Sequence, residues 1–483
     1  MAFPEKGFVL DFDAILLSRL QFAFTIAFHI IFPSFTIGLA SFLAVLEGLW
    51  LVKKEERYKT LYLFWVKIFA LSFGMGVVSG VVMSYELGSN WSAFSKAASP
   101  VIGPLLAFEV LTAFFLEASF LGVMLFGWKK VGPRLHFFAT LMVAIGTLIS
   151  AFWIISANSW MQFPTGHEIL ADKTLRTVSW MQVIFSPTFP VRLVHMVLAA
   201  YLTTSLVVGA ASAWSLLKNR DQAESKIALR MAIGMFAVVA PLQLVAGHLS
   251  GETVRVHQPL KLAAIEAYWN TRADPPLSLV GVPDRDAGKT HLEVEVPGIG
   301  ALVQGVSRDT VLQGLNDFPK EDWPVVGLVY WAFRVMVALG LAMIGLGFWG
   351  LWLWRRGGPE RSPLFLKAAV AMGPAGFVAV IAGWIVAEVG RQPYVIYGVL
   401  RTADAVSPVG AGQVSASLLG FLIVYAVVFS VGALYILRLI AEGPVEGSHE
   451  PLPGQQRAPG TPLAAAPDDP ATMTESSHKG DRR

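Results

Sequence analysis

Nine long apolar segments, separated by shorter polar ones, set the pattern of this chain. Each exceeds the ~20 residues that a helix needs to cross a ~30 Å hydrocarbon core. The pattern therefore predicts an all-α fold, a polytopic membrane bundle of nine transmembrane helices. The predicted spans are Leu20–Val52, Leu61–Tyr85, Pro104–Trp128, Leu135–Asn158, Pro187–Leu217, Ile227–Leu249, Val325–Trp354, Leu364–Glu388 and Val414–Ile440.

The polar segments divide the chain into four parts. Residues 1–249 hold the first six predicted helices, and residues 324–440 hold the last three. Between them, residues 250–323 form a polar loop with a predicted strand at His291–Val296, and a loop of this length is usually functional or disordered. Residues 441–483 are rich in proline, alanine and polar residues, which predicts a disordered tail.

Basic residues concentrate in alternate segments between the predicted helices. By the positive-inside rule, this bias predicts that the N-terminus faces outward and that the C-terminus and its tail face the cytoplasm. The basic residues after the first, third, fifth and seventh spans are Lys53, Lys54, Arg57, Lys59, Lys129, Lys130, Arg134, Lys218, Arg220, Lys226, Arg230, Arg355, Arg356 and Arg361.

Composition agrees with a membrane protein and narrows its chemistry. The chain is 54% hydrophobic and 15% charged, whereas a soluble domain is about 25% charged. It contains no cysteine. That absence excludes disulfides, thiolate metal sites and covalent c-type haem attachment.

Five groups able to bind iron or a proton lie in different spans, all between the predicted outer face and about the midplane: His29, His195, Met336, Glu109 and Glu388. At 1.5 Å per helical residue, the first three lie ~14, ~12 and ~16 Å inside the predicted outer face. Imidazole and thioether suit a low-spin haem iron, whereas a lone His or Glu ligand leaves an iron position open for oxygen. The simpler interpretation is that the histidines are packed and hydrogen-bonded and that the methionine fills a gap.

Two further ionisable groups extend this set. Glu117 lies eight residues after Glu109, broadly on one side of the same helix. Intramembrane carboxylates mark proton or ion paths by default, although pairing with an arginine or the backbone is an alternative. Arg334, two residues before Met336, is either a snorkelling charge or a partner of a haem propionate.

These residues leave more than one class of function open. A secondary transporter or ion channel without haem could use the carboxylates, and a b-type subunit that only passes electrons could use His195 and Met336. A haem-copper oxidase is disfavoured, because it needs several clustered intramembrane histidines and this chain has too few.

Short motifs along the membrane part resemble subunit I of the cytochrome bd-type quinol oxidases. They occur in the family's order and with nine spans. The motifs are Leu17-Ser18-Arg19-Leu20-Gln21-Phe22 with His29, Phe108-Glu109, Ala113-Phe114-Phe115-Leu116-Glu117, Ala157-Asn158-Ser159-Trp160-Met161-Gln162, Val194-His195, Lys261-Leu262-Ala263-Ala264-Ile265-Glu266-Ala267, Ala332-Phe333-Arg334-Val335-Met336 and Gly383-Trp384 followed by Glu388 and Gly390-Arg391-Gln392-Pro393.

The resemblance implies three haems, two of type b and a third of type d or b. It implies that His195 and Met336 are the axial ligands of the low-spin b haem. His29 and Glu388 would serve the two high-spin haems, and which residue serves which haem stays open. Glu109 would lie beside the high-spin haems as a ligand or proton donor.

The resemblance also implies roles for residues that do not bind iron. Glu117 would relay protons from the cytoplasm, Trp384 would lie between haems, and Arg391 would lie near propionates. Lys261 and Glu266 would belong to a quinol site on the outer loop. A base near the quinol hydroxyls is chemically necessary, and in an outer loop it would release protons outward.

The implied protein is one subunit of an oxidase in the bacterial cytoplasmic (inner) membrane. It would oxidise quinol, reduce O2 to water and generate a proton motive force without pumping. A second membrane subunit and a small single-helix subunit would accompany it, and no nucleic acid is involved. The short outer loop and Tyr394, where many members have Trp, resemble the cyanide-insensitive branch of the family.

Overall fold

Membrane-length helices make up most of the computed structural model, which describes residues 13–220 and 222–444. Within these residues, nine apolar helices are long enough to cross a membrane, which confirms the predicted bundle. In chain order the helices are α1 (Ala14–Lys53), α2 (Glu56–Ser89), α3 (Ser92–Phe126), α4 (Pro133–Gln162), α5 (Trp180–Ile184), α6 (Phe189–Leu217), α7 (Gln222–His257), α8 (Pro259–Glu266), α9 (Gly300–Val303), α10 (Val326–Arg355), α11 (Pro363–Ala371), α12 (Ala375–Val389) and α13 (Ala411–Glu442).

Helix boundaries follow local chemistry. Asp13 caps α1 by accepting a hydrogen bond from the Leu16 amide at 2.6 Å, and prolines open α4 and α11, where a missing N–H costs nothing. The eighth span is predicted as one helix, but it is broken into α11 and α12 around Gly373-Pro374. A proline there removes one helical hydrogen bond and disfavours helix at the residue before it.

Helix α3 contains a π-helical turn at Val110–Phe114, in the middle of the span. Such a turn accommodates one extra residue and often occurs at functional sites. It separates Glu109 from Glu117.

The segment between α7 and α10 is folded rather than an open loop. Helix α7 continues eight residues past the predicted end, to His257, and α8 follows at once with nearly every side chain buried. We call the side of the bundle on which residues 258–325 lie the loop face.

Short antiparallel strand pairs complete the fold. The hairpin of β4 (Leu277–Asp284) and β5 (Lys289–Val296) contains the strand predicted at His291–Val296, and the observed strand begins two residues earlier. Ser278 of this hairpin fixes it to α10 through a 2.7 Å hydrogen bond with the Tyr330 hydroxyl. The strands are β1 (His167–Ile169), β2 (Leu175–Thr177), β3 (Arg272–Ala273), β4 (Leu277–Asp284), β5 (Lys289–Val296), β6 (Val311–Leu312), β7 (Tyr394–Ile396) and β8 (Leu400–Arg401).

The tail predicted to be disordered lies outside the described residues, apart from its first few. Helix α13 reaches Glu442, so the start of that segment is helical.

Candidate functional site

Four helices, α6, α7, α10 and α12, pack in a ring in which each contacts its two neighbours. His195 on α6 and Met336 on α10 therefore lie on diagonally opposite helices. The other diagonal carries glycines beside them: a Cβ on Gly247 would lie 3.5 Å from His195 Cε1, and one on Gly383 would lie 3.0 Å from the Met336 sulfur. The ring thus places two iron-ligand types opposite each other, with small residues alongside.

The imidazole of His195 is only partly satisfied by protein. Its Nε2 lies 3.2 Å from Nε2 of Gln243 on α7. Its Nδ1 is buried without a hydrogen-bond partner among the described residues. Buried polar atoms normally have partners, so the uncommitted nitrogen fits a residue that binds a further group.

Glu388, near the end of α12, is the centre of a second cluster, which we call the Glu388 network. Its Oε1 accepts hydrogen bonds from Asn158 at 3.0 Å and Gln162 at 3.1 Å, and its Oε2 accepts one from Arg391 at 2.5 Å. Arg192 on α6 donates to the same Asn158 side chain. One carboxylate therefore faces two guanidinium groups.

Lys261 adds a third cation to the Glu388 network. It is 4% exposed, and its Nζ donates to Gln162 Oε1 at 2.5 Å and to the Ala387 carbonyl at 3.0 Å. Burial, together with repulsion from Arg192 and Arg391, lowers the pKa of Lys261 well below its usual range. This side chain, expected on an outer loop, is buried among helix ends.

The Glu388 network contains more basic side chains than carboxylates. Nε and Nη1 of Arg391, and Nη1 of Arg192, are buried with no hydrogen-bond partner in the described part of the chain. Unpaired buried charge is costly, so the network has the donors and the charge to receive additional anionic oxygens. Arg192 was not predicted from the sequence, although its place one turn before His195 was a signal for it.

Glu266 lies on α8 with Lys261 but enters a third cluster. Its carboxylate lies 3.4 Å from Arg334 and accepts a hydrogen bond from Gln304 at 3.3 Å. Burial raises the pKa of Glu266, and Arg334 and Gln304 partly oppose that rise. Arg334 also donates to the Ile265 and Ser278 carbonyls, so most of its donors serve the loop face.

The two carboxylates of α3 both meet α4. Ser150 donates to Glu109 Oε1 at 2.7 Å. Glu117 is 5% exposed and packs on Gly146, where a Cβ would lie 2.5 Å from its Cγ. The two acids of α3 therefore both contact α4, at Ser150 and Gly146, which are four residues apart on that helix.

His29 and Trp384 lie apart from these hydrogen-bond networks. His29 Nδ1 lies 2.9 Å from the Ser79 hydroxyl, between α1 and α2. No hydrogen bond joins it to Glu109 or Glu388 in residues 13–220 and 222–444. Trp384 is half-buried on α12, one turn before Glu388. The individual roles of these site residues stay predictions.

Comparisons with known proteins identify the family. The chain matches the cytochrome bd terminal oxidase subunit I family over residues 17–444. It is 33% identical over 451 residues to cytochrome bd ubiquinol oxidase subunit 1 of Bacillus subtilis (strain 168), covering 91% of this chain and 96% of that protein. It is 30% identical over 515 residues to cytochrome bd-II ubiquinol oxidase subunit 1 of Escherichia coli (strain K12), covering 92% and 99%.

A solved structure agrees with the fold as well. The bd oxidase from Geobacillus thermodenitrificans superposes with a TM-score of 0.83 at 29% sequence identity, covering 89% of this chain and 99% of that one. The resemblance inferred from the motifs is thereby confirmed, and so is the helical membrane architecture. This chain belongs to the cytochrome bd terminal oxidase subunit I family.

Proposed function

We propose that this chain oxidises quinol at its loop face, passes the electrons through haems held in the bundle and reduces O2 with protons taken from the opposite face. Family membership makes it a subunit of a respiratory terminal oxidase with quinol oxidase activity. It also decides between the oxidase and a transporter in favour of the oxidase. The finer assignments below rest on the geometry of the clusters.

The observation that carries the proposal is the ring of α6, α7, α10 and α12. His195 and Met336 lie across its diagonal, and each packs closely against a glycine of the other diagonal, Gly247 and Gly383 respectively. A His/Met pair suits a low-spin haem iron and raises its reduction potential. These two residues would hold the low-spin b haem.

The Glu388 network has the groups needed to bind the propionate side chains of a haem. A haem carries two propionate carboxylates, and Arg391 and Arg192 offer buried N–H groups without partners. Charge-assisted hydrogen bonds from guanidinium to carboxylate are among the strongest in proteins. Arg391 and Arg192 would hold propionates here, with Trp384 packed between haems.

Glu388 keeps the capacity to bind iron itself. A carboxylate has about four acceptor positions, and protein donors occupy three of them. Glu388 and His29 would serve the two high-spin haems, in an assignment that stays open. When bound, the haems supply the one-electron steps and the iron position at which O2 is reduced.

Glu266 and Lys261 would act on quinol from opposite sides of α8. Burial raises the pKa of Glu266, which makes its carboxylate a stronger base than that of an exposed glutamate, and Arg334 holds the carboxylate in place. Lys261 would orient the quinone oxygen. Protons removed here leave at the loop face, which we propose is the outer side of the cytoplasmic membrane.

Protons for oxygen reduction would reach Glu109 by way of Glu117. Both carboxylates contact α4, and the Ser150 hydroxyl already donates to Glu109. Glu117 lies on the later, predicted cytoplasmic part of α3. Taking protons from one face and releasing them at the other separates charge without a pump.

Exposed apolar helix surfaces fit a second membrane subunit and a small single-helix subunit. Most of the apolar side chains of helix α13 are not buried by the rest of the chain. Bd oxidases are multi-subunit complexes, and lipid alone or a partner helix would suit such a surface.

The test compares the same substitution at two methionines of α10. Met336→Leu should convert the low-spin b signal to a high-spin one in the reduced-minus-oxidised spectrum, because leucine cannot bind iron. Met343 is a buried methionine seven residues further along the same helix, and Met343→Leu should leave the spectrum unchanged. The proposal would be overturned if pyridine-haemochrome quantitation found no haem in the wild-type complex. It would also be overturned if the spectrum of Met336→Leu were the same as that of the wild type.

A further inference from the structure

A buried carboxylate that the proposed reaction does not use lies between α1, α2 and α13. Glu86 is 0% exposed, and its Oε2 accepts a hydrogen bond from Thr25 at 2.6 Å. Gln21, one turn before Thr25, lies beside it and accepts a hydrogen bond from Ser417 of α13 at 2.8 Å. We call Gln21, Thr25, Glu86, Ser417 and Tyr425 the Glu86 pocket.

Several atoms of this pocket are buried without partners among the described residues. They are Glu86 Oε1 and Gln21 Nε2, which lie close to each other without a well-formed hydrogen bond, and the Tyr425 hydroxyl. An acceptor and two donors left open in one place are the usual surroundings of ordered water. The pocket therefore has the groups to hold water next to an acid.

Similar open groups continue from the pocket toward the ends of its helices. Ser18 Oγ, one turn before Gln21, and Asn90 Nδ2, just beyond α2, are also buried and unpartnered in residues 13–220 and 222–444. The backbone N–H of Asn90 donates a hydrogen bond to the backbone carbonyl of Glu86 at 2.9 Å, so these residues are one helical turn apart. Since α1 begins and α2 ends on the loop face, the polar groups lead from Glu86 to that face.

No cation balances Glu86 in the part of the chain that the structure describes. The ion pairs there do not include it. The titratable groups facing the pocket from the adjoining helices are Tyr425 of α13 and, one turn beyond Thr25, His29 of α1. An intramembrane carboxylate without a cation is costly as a charge, and such residues usually have a function.

The pocket lies on the same helix faces as His29. Thr25 precedes His29 by four residues on α1. Ser79, which contacts His29 Nδ1, precedes Glu86 by seven residues, or two turns, on α2. A change of charge at a metal bound to His29 would act on Glu86 through a largely apolar interior, where screening is weak.

We infer that Glu86 is a redox-linked protonation site on the loop-face side of the haem held by His29. It binds one proton when that haem gains an electron and releases the proton when the electron leaves. The O–H bond forms at the Glu86 carboxylate, the proton comes from water at the loop face, and the electron comes from quinol. The inference rests on the proposed function, since it takes His29 to hold a haem.

Glu109 and Glu117 do not serve this role, because they lie on α3 and contact α4. The Glu86 pocket is built from α1, α2 and α13. Substitution at Glu86 should therefore leave the proton supply for oxygen reduction in place.

The experiment is a pH series of spectroelectrochemical titrations on the purified complex. A one-electron couple linked to one proton shifts by ~59 mV per pH unit, the value for a tenfold change. We expect one high-spin haem to show such a slope over part of the pH range. Glu86→Gln should abolish that slope, and Glu86→Asp should keep it at a shifted pH.

Glu56→Gln is the matched control, because it removes an exposed carboxylate from the start of the same helix. In the wild type, the redox-difference infrared spectrum should show a protonated-carboxyl band that disappears in Glu86→Gln. An unchanged slope in Glu86→Gln, with haem content intact, would overturn the inference alone. A complex without haem would instead overturn the proposed function.

Discussion

Lys261 and Glu266 lie five residues apart on α8, yet their side chains enter different clusters. The sequence motif predicts both as quinol-site residues, and their charged pattern alone is equally typical of a solvated helix face. The structure buries both, at 4% and 2% exposure. That burial depends on α4, α10 and α12 packing around α8, and no local pattern reports it.

Burial of Glu266 predicts the pH dependence of quinol oxidation. Burial raises the pKa of this carboxyl, so it stays protonated, and inactive as a base, to a higher pH than an exposed glutamate. The rate should therefore fall as the pH drops through that raised pKa. Gln304→Leu removes a donor that lowers the pKa, and the acid limb of the kcat/KM profile should move to higher pH.

Two variants complete that measurement. Glu266→Gln should lower quinol oxidation about 100-fold and remove the acid limb, with haem content unchanged. Glu295→Gln, on the exposed side of β5, should behave as wild type. An acid limb that stays in place in both Gln304→Leu and Glu266→Gln would rule out Glu266 as the base.

At the scale of single elements, the π-helical turn explains how Glu109 and Glu117 both reach α4. Eight residues at about 100° each would leave the two side chains ~80° apart around an ideal helix. The turn at Val110–Phe114 accommodates one residue and reduces the difference to about 20°. The sequence indicated a shared side only roughly, because hydropathy does not report a local change of helix type.

The π-helical turn can be tested by changing its length. Inserting an alanine after Leu111 should rotate the Glu117 side chain by about 100° away from α4. The rate of oxygen turnover should then fall about 100-fold, as it should in Glu117→Gln. Deleting Leu111 is the matched control, since seven α-helical steps keep both carboxylates on the α4 side. The measurement is oxygen consumption per haem. Equal loss in the insertion and the deletion would show that alignment is not what matters.

Span positions were predictable because nine runs of apolar residues leave few alternatives in a membrane. The ends of the spans were harder to predict. Helix α7 runs on to His257, and Val254 in this extension packs against the buried cluster of α8, although Glu252 and Arg255 make the stretch polar. The break at Gly373-Pro374 was visible in the sequence, but apolar residues on both sides favoured one continuous span.

At the scale of the whole molecule, the clusters divide between the two faces of the bundle. Glu266, Lys261 and the Glu388 network lie where α4, α7, α10 and α12 meet the loop-face segment. Glu117 lies beyond the middle of α3, toward the other face. Quinol protons and oxygen-reduction protons would thus use different sides of one membrane, which is the whole basis of charge separation without a pump.

Proteoliposomes containing the complete oxidase test this division. With the loop face outward, quinol oxidation should acidify the outside by as many protons as electrons transferred, because each quinol releases both in equal number. Glu117→Gln should slow proton release and oxygen consumption together and leave their ratio unchanged, since it acts only on proton supply. Glu56→Gln should alter neither rate. Proton release exceeding electron transfer would require a pump that this arrangement lacks, and no acidification at all would place both proton reactions on one face.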